Sequence, residues 1–117
     1  MLYMLIVKAS SNSENANLPN QELQDAMDVY NEKLIEAGVR VMAKGLHPSS
    51  EGLRISFPIP GGEPVVTKGP FGPVTDVVAG FFLIDVKSHE EAVAWLMKAP
   101  DPQGYGEGQI ELRKVYE

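Results

Sequence analysis

Apolar residues run unbroken from Leu2 to Val7 and stop at Lys8. A run that short and dense suits a buried β-strand better than a helix. Ser10 to Asn15 is wholly polar and reads as a loop. Between Asn20 and Ala37 the spacing changes: Leu23, Met27, Tyr30 and Leu34 recur at three- and four-residue intervals, the period of an amphipathic helix. Pro19 suits its first turn and Gly38 its stop, and either Asn17 or Asn20 is a suitable N-cap. Val39 to Leu46 returns to alternation, with Val39, Val41 and Ala43 on one face of a second strand.

Two short β-type runs follow, Leu53 to Phe57 and Val65 to Thr67, separated by PIPGGEP. Gly61 and Gly62 can both take positive φ, so the pattern predicts a hairpin arm. A proline- and glycine-rich loop, Lys68 to Pro73, leads into the strand Val77 to Val86. Ser88 with Glu91 has capping-box spacing and opens a second helix with an inner face of Ala92, Val93, Trp95, Leu96 and Ala99, ended by Pro100. A glycine-rich connection then precedes the last strand, Ile110 to Tyr116, with Ile110 and Leu112 on one face and Glu111 and Arg113 on the other.

Strand, helix, strand, arm, strand, helix, strand is the order of the α+β, ferredoxin-like split βαβ fold with an inserted β-hairpin. That fold sets its first and third strands side by side in the middle of the sheet. Leu2 to Val7 and Val77 to Ile84 are the two runs apolar on both faces, as central strands should be. Two helices cover one face only. The other face needs a cover, and a second copy of the sheet supplies one, which gives a homodimer packed sheet to sheet.

Composition narrows the function. A chain of 117 residues is one domain, long enough to bury about two-thirds of its unfolded surface. Sixteen acidic side chains against ten basic give a net charge of −6, which disfavours nucleic acid and anionic membranes as partners. With no cysteine, disulfides, thiolate metal sites and thiol nucleophiles are excluded, and nothing points to an oxidising compartment. The apolar start lacks the basic flank and small-residue cleavage site of a signal peptide, so a cytoplasmic location is expected. Gly104, Gly106 and Gly108 precede a strand where a dinucleotide fingerprint opens a helix, and no P-loop, nucleophile elbow or HExxH pattern occurs, so no cofactor and no metal are expected.

Four blocks, GLHPSS at Gly45 to Ser50, TKGPF at Thr67 to Phe71, AGFFLIDVKSHEEAVAW at Ala79 to Trp95 and the closing GEGQIELRKVYE, together resemble the YCII-related family in its DGPF-motif branch. The resemblance runs nearly end to end. It implies a ferredoxin-like dimer whose sheets pack into an α/β barrel, and a kinship with muconolactone-type isomerases and dehalogenases; some relatives accompany sigma factors, which implies a regulatory role instead. Lys68 stands where the motif has its aspartate, and of the polar run that follows the phenylalanine in that branch only Asp76 keeps an acidic group.

The topology gathers candidates at one end of the sheet. There the end of strand one, the end of strand two and the start of strand three meet, bringing together His47, Asp76, Lys8 and the Lys68 to Pro73 loop. His47 can exchange protons near neutral pH, and Asp76 would orient it. The same histidine would equally serve as a strand-end cap. Arg54 and Lys68 are candidates for holding an anionic substrate, and Phe71 for contacting it in a stiff GPFGP loop, although solvated charges and a packing phenylalanine explain the same residues. Two functions follow. One is binding or transforming a small organic acid by proton transfer, isomerisation or elimination in a cleft at the sheet end. The other is a non-catalytic regulatory or protein-interaction module that presents the hairpin arm.

Overall fold

The computed structural model describes residues 1–117. Its four-stranded antiparallel sheet is built from β1 (Leu2–Lys8), β2 (Arg40–Gly45), β5 (Val78–Asp85) and β6 (Ile110–Lys114), in the order β2-β5-β1-β6. Helices α2 (Gln21–Glu36) and α3 (His89–Lys98) pack on one side. β3 (Leu53–Ser56) and β4 (Val65–Lys68) pair only with each other, as the expected hairpin arm. Each βαβ half places its second strand outside the central pair, β1 beside β5, which is the split βαβ topology.

Register fixes which side chains face the helices. Tyr3, Leu5 and Val7 lie opposite Ile84, Phe82 and Gly80, and all six are buried. Together with Tyr30 and Leu34 of α2 and Ala92 of α3 they form the core. Tyr30 meets Phe82 edge to face at 5.5 Å and donates its hydroxyl to the Trp95 carbonyl at 2.7 Å, tying the two helices together. Burial pushes the Tyr30 phenol up from 10 to about 12.

The opposite face carries Met4 against Leu83 and Ile6 against Phe81, only half-buried, with exposed Met42 beside them. The molecule is a slab of 46 × 36 × 19 Å. Its accessible surface is 7715 Å², whereas a compact monomer of 12.8 kDa exposes about 6,300 Å². Folding thus buries roughly six-tenths of the unfolded surface rather than two-thirds. The shortfall belongs to the bare sheet face and the arm.

Several local expectations change. Ser11–Glu14 is a single helical turn, α1, rather than loop, because Ser10 and Ser13 cap each other reciprocally. Asn20 is the cap of α2, accepting from the Leu23 amide at 3.0 Å. In the arm only Gly61 takes positive φ (+71°); Gly62 instead donates to the Ile59 carbonyl at 2.8 Å. At α3 the Ser88 hydroxyl accepts from the Glu91 amide, but the Glu91 carboxylate reaches back to the Lys87 amide, one residue beyond the cap. A β-bulge between Arg40 and Met42 breaks the alternation of β2, so Val41 is exposed while Arg40 and Ala43 face the helices, paired with Ile84 and Phe82. No helix is long and apolar enough to cross a membrane.

Candidate functional site

The bulge in β2 has a direct consequence, because it turns a charged side chain towards α2. Between that helix and the β2–β5 edge of the sheet lies a cavity of about 600 Å³, within the range of small-molecule sites. Its walls are largely apolar: Val7 and Phe82 from the sheet, Met27 from α2, Leu18 and Leu46 from the flanking loops. Asp28 and Asn31 of α2 and Arg40 of β2 supply polar groups, Asn31 one turn beyond Met27 on the same face. The Nε of Arg40 and the Oδ1 of Asn31 are both shielded from solvent without a hydrogen-bond partner in the chain. Native interiors contain few such atoms.

The loops that close the cavity are tied down individually. Gln24 Nε2 donates to the Pro19 carbonyl at 2.7 Å, and the Tyr105 hydroxyl to the Leu18 carbonyl at 2.9 Å. Gln103 is buried on the cavity floor and donates from Nε2 to the Lys8 carbonyl at 3.2 Å. Ala16, also on the wall, has φ +59°, a left-handed conformation that costs an L-residue roughly 1 kcal/mol or more.

The expected residues do gather at one end of the sheet, where β1 and β2 end and β5 begins, but they divide into separate sets. His47 stands on the cavity rim, its side chain 84% exposed. Its acidic partner is Glu51, with Nδ1 and Oε2 3.1 Å apart, and not Asp76. The reason is local: the 3₁₀ turn Ser49–Glu51 brings the i+4 carboxylate back to the imidazole. Asp76 lies exposed in another 3₁₀ turn, Val74–Asp76, without an ion pair. Arg54 and Phe71 are together, the guanidinium 4.2 Å from the ring centre, but away from the cavity lining. Lys68 pairs with Leu53 in the arm and is exposed.

A second constellation went unread in the sequence. Ser49 is buried and linked on every side: its amide donates to Glu14 at 2.8 Å, its hydroxyl donates to the other Glu14 oxygen, and it accepts from the Phe71 amide at 3.0 Å. Gly69 packs so tightly on the Ser49 carbonyl that a Cβ there would lie 1.6 Å from it, so only glycine fits. With every group satisfied, this is a clamp that fastens the Gly69–Phe71 loop to α1. His89, in the first turn of α3, has its Nδ1 3.2 Å from the Tyr3 hydroxyl. No three His, Asp or Glu side chains converge as a metal site requires.

Comparison with known proteins adds the following. The YCII-related domain matches residues 1–117. Among solved structures the chain is similar to 5-chloro-2-hydroxyhydroquinone dehydrochlorinase from Burkholderia phenoliruptrix AC1100 in complex with 2,5-dihydroxybenzoquinone. The TM-score is 0.54 at 13% identity, over 99% of this chain and 94% of that one, a likeness of fold. No curated protein matches.

Proposed function

The chain belongs to the YCII-related family, and from that premise we propose that it takes a small organic molecule into the cavity between α2 and the sheet and acts on it by proton transfer. The observation that carries this reading is the cavity itself: about 600 Å³, largely apolar in surface, with a few polar residues in its wall. His47 at the rim, held by Glu51, is the proton carrier, the carboxylate fixing the tautomer and stabilising the imidazolium. Isomerisation and elimination both begin with such a transfer. The fold relative that acts on a chlorinated hydroxyhydroquinone supports small-molecule chemistry at this general level.

The assembly we propose is a homodimer joined through the bare sheet faces into an α/β barrel. A slab only 19 Å thick in its thinnest direction, with Met4, Ile6, Phe81 and Leu83 uncovered by helices, supports it. Within the family we assign the chain to the DGPF-motif branch, a reading supported by its GPF loop, with Lys68 in the position of the acidic residue.

The test is a thermal-shift screen of small carboxylates and lactones, followed by NMR of hits for deuterium uptake at the carbon next to the carbonyl. His47→Ala should leave the ligand-induced shift intact and slow exchange by about a hundredfold or more. Equal exchange in the variant removes His47 from the chemistry.

One observation favours a second reading, a protein-interaction module. Leu53, Phe57, Ile59 and Val66 on the arm are each more than 60% exposed, and a lone two-stranded hairpin is marginally stable without a neighbour. A screen without hits, together with a partner lost on trimming residues 57–64, would favour it.

A further inference from the structure

We propose that the bare face of the sheet takes a second copy of this chain in one defined register, with Lys44 of each subunit against Glu111 of the partner subunit. This rests on the sheet-to-sheet dimer proposed above and fixes the direction of its twofold axis. Strand register lays the side chains of that face in straight rows. Lys44 lies opposite Phe81, Phe81 opposite Ile6 and Ile6 opposite Glu111, so one row runs from β2 to β6 as a cation, two apolar residues and an anion. The row beside it is Met42, Leu83, Met4 and Arg113. Lys44 has no ion pair within the chain, whereas Arg113 holds Glu111 at 3.2 Å.

A twofold axis lying between two facing sheets runs either along the strands or across them. Along the strands, between β1 and β5, it turns every row end for end over its own copy. Phe81 then faces the partner subunit's Ile6, and Lys44 faces the partner subunit's Glu111, once at each end of the row. Across the strands, each strand lies over its own copy instead. Lys44 then meets the partner subunit's Lys44 or, with the axis between the two rows, the partner subunit's Met42; in both cases its charge is covered without a counter-charge, the costly outcome at an interface. The first arrangement pairs every charge of the two rows, because Arg113 keeps Glu111 within its own chain and lays its alkyl stem on the partner subunit's Met42. Facing sheets stand about 10 Å apart, a gap that a lysine and a glutamate reaching from opposite sides can close. Aligned sheets cross at about 30°, which displaces the ends of a four-strand row by about 4 Å, within the reach of the lysine stem. There is surface enough: the excess over a compact monomer, about 1,400 Å² shared by this face and the arm, exceeds the roughly 800 Å² that each partner gives to a standard interface.

The experiment compares self-association of the full chain carrying Lys44→Glu, Glu111→Lys or both, by sedimentation across the micromolar range. Circular dichroism should show each variant folded, since both positions are exposed. Each single exchange sets like charges together twice per dimer and should weaken self-association by about tenfold or more, and the double exchange should recover most of that loss. Mixing the two single variants, one carrying a mass tag, should give heterodimer in excess over either homodimer, because only the mixed pair matches both contacts. The chain has no cysteine, so Lys44→Cys and Glu111→Cys chains, mixed and treated with a short bismaleimide, should cross-link to each other. Absence of that cross-link, or cross-linking of Lys44→Cys to its own copy, overturns the proposal. So do single exchanges that associate as tightly as the wild type, or a mixture that pairs at random. A dimer that passes none of these tests but is broken by Leu83→Ser leaves the sheet-to-sheet assembly standing without this register; a wild-type protein that sediments as one chain overturns both.

Discussion

The bare face of the sheet gives the sharpest consequence for assembly. Phe81 lies at its middle, opposite Ile6 on β1 and Lys44 on β2, with Leu83 and Met4 one pair further along. In a sheet-to-sheet dimer the twofold axis makes every substitution count twice. Fully burying a phenylalanine is worth roughly 1.5–3 kcal/mol, and Phe81 is already half-buried in the single chain, so over two copies Phe81→Ser should cost the dimer about 1.5–3 kcal/mol. At 1.4 kcal/mol per tenfold, association weakens by roughly tenfold to a hundredfold. Sedimentation across the micromolar range reads this directly. The wild type should run at twice 12.8 kDa and the variant at the single-chain mass. Circular dichroism must show the variant still folded, as expected for a residue outside the helix-side core. Val29→Ser, on the exposed side of α2, is the control and should leave the dimer unchanged. A wild-type protein that sediments as one chain at micromolar concentration, or a Phe81→Ser dimer as tight as the parent, refutes the reasoning.

Two further outcomes follow from the packing. Ser49→Ala strands the Phe71 amide and removes a hydroxyl from the Glu14 carboxylate, so urea unfolding should show a loss of about 2–3 kcal/mol, with the Lys68–Pro73 loop becoming susceptible to proteolysis; a loss under about 1 kcal/mol would mean that the clamp is incidental. The raised Tyr30 phenol gives a pH dependence with a fixed sign. Its folded-state value of about 12 lies above the unfolded 10, so its contribution is complete below pH 10 and falls away as pH rises towards 12, amounting to roughly 3 kcal/mol. Tyr30→Phe should flatten that alkaline fall in a denaturation series, and an unchanged slope would assign the fall to other groups.

Periodicity made the framework legible. The apolar runs of β1 and β5, the Met27, Tyr30, Leu34 stripe of α2 and the alternation of Ile110 and Leu112 all lie where their spacing puts them, because each reflects burial against one common core. The site was less legible, for two physical reasons. A β-bulge is invisible to a period-two pattern, and the one in β2 moved Arg40 to the helix side while exposing Val41. His47 met Glu51 rather than Asp76 because the three-residue 3₁₀ turn Ser49–Glu51 brings a carboxylate four positions along the chain back to the imidazole. Asn31 did carry a signal, as a polar residue four positions after Met27 on the inward row of α2.

These observations assign the two faces of one sheet to different tasks. On the helix side, β1 and β5 bury their side chains to the point where Leu5 and Ile84 have no exposure, and the core thins only towards β2, where the bulge admits Arg40 and opens the cavity. On the other side the same strands present Met4, Ile6, Phe81 and Leu83, which no element of the chain covers. A ligand in the cavity therefore shares β2 and β5 with the face proposed for the dimer, separated by a single layer of backbone. Covering that face would fix the strands of the cavity wall, so loss of the dimer should weaken ligand binding. Leu83→Ser tests this better than Phe81→Ser, because Phe81 belongs to the cavity lining and Leu83 does not. Measuring the affinity of a thermal-shift hit in the Leu83→Ser variant checks the linkage, and undiminished affinity would show that the cavity is complete within one chain.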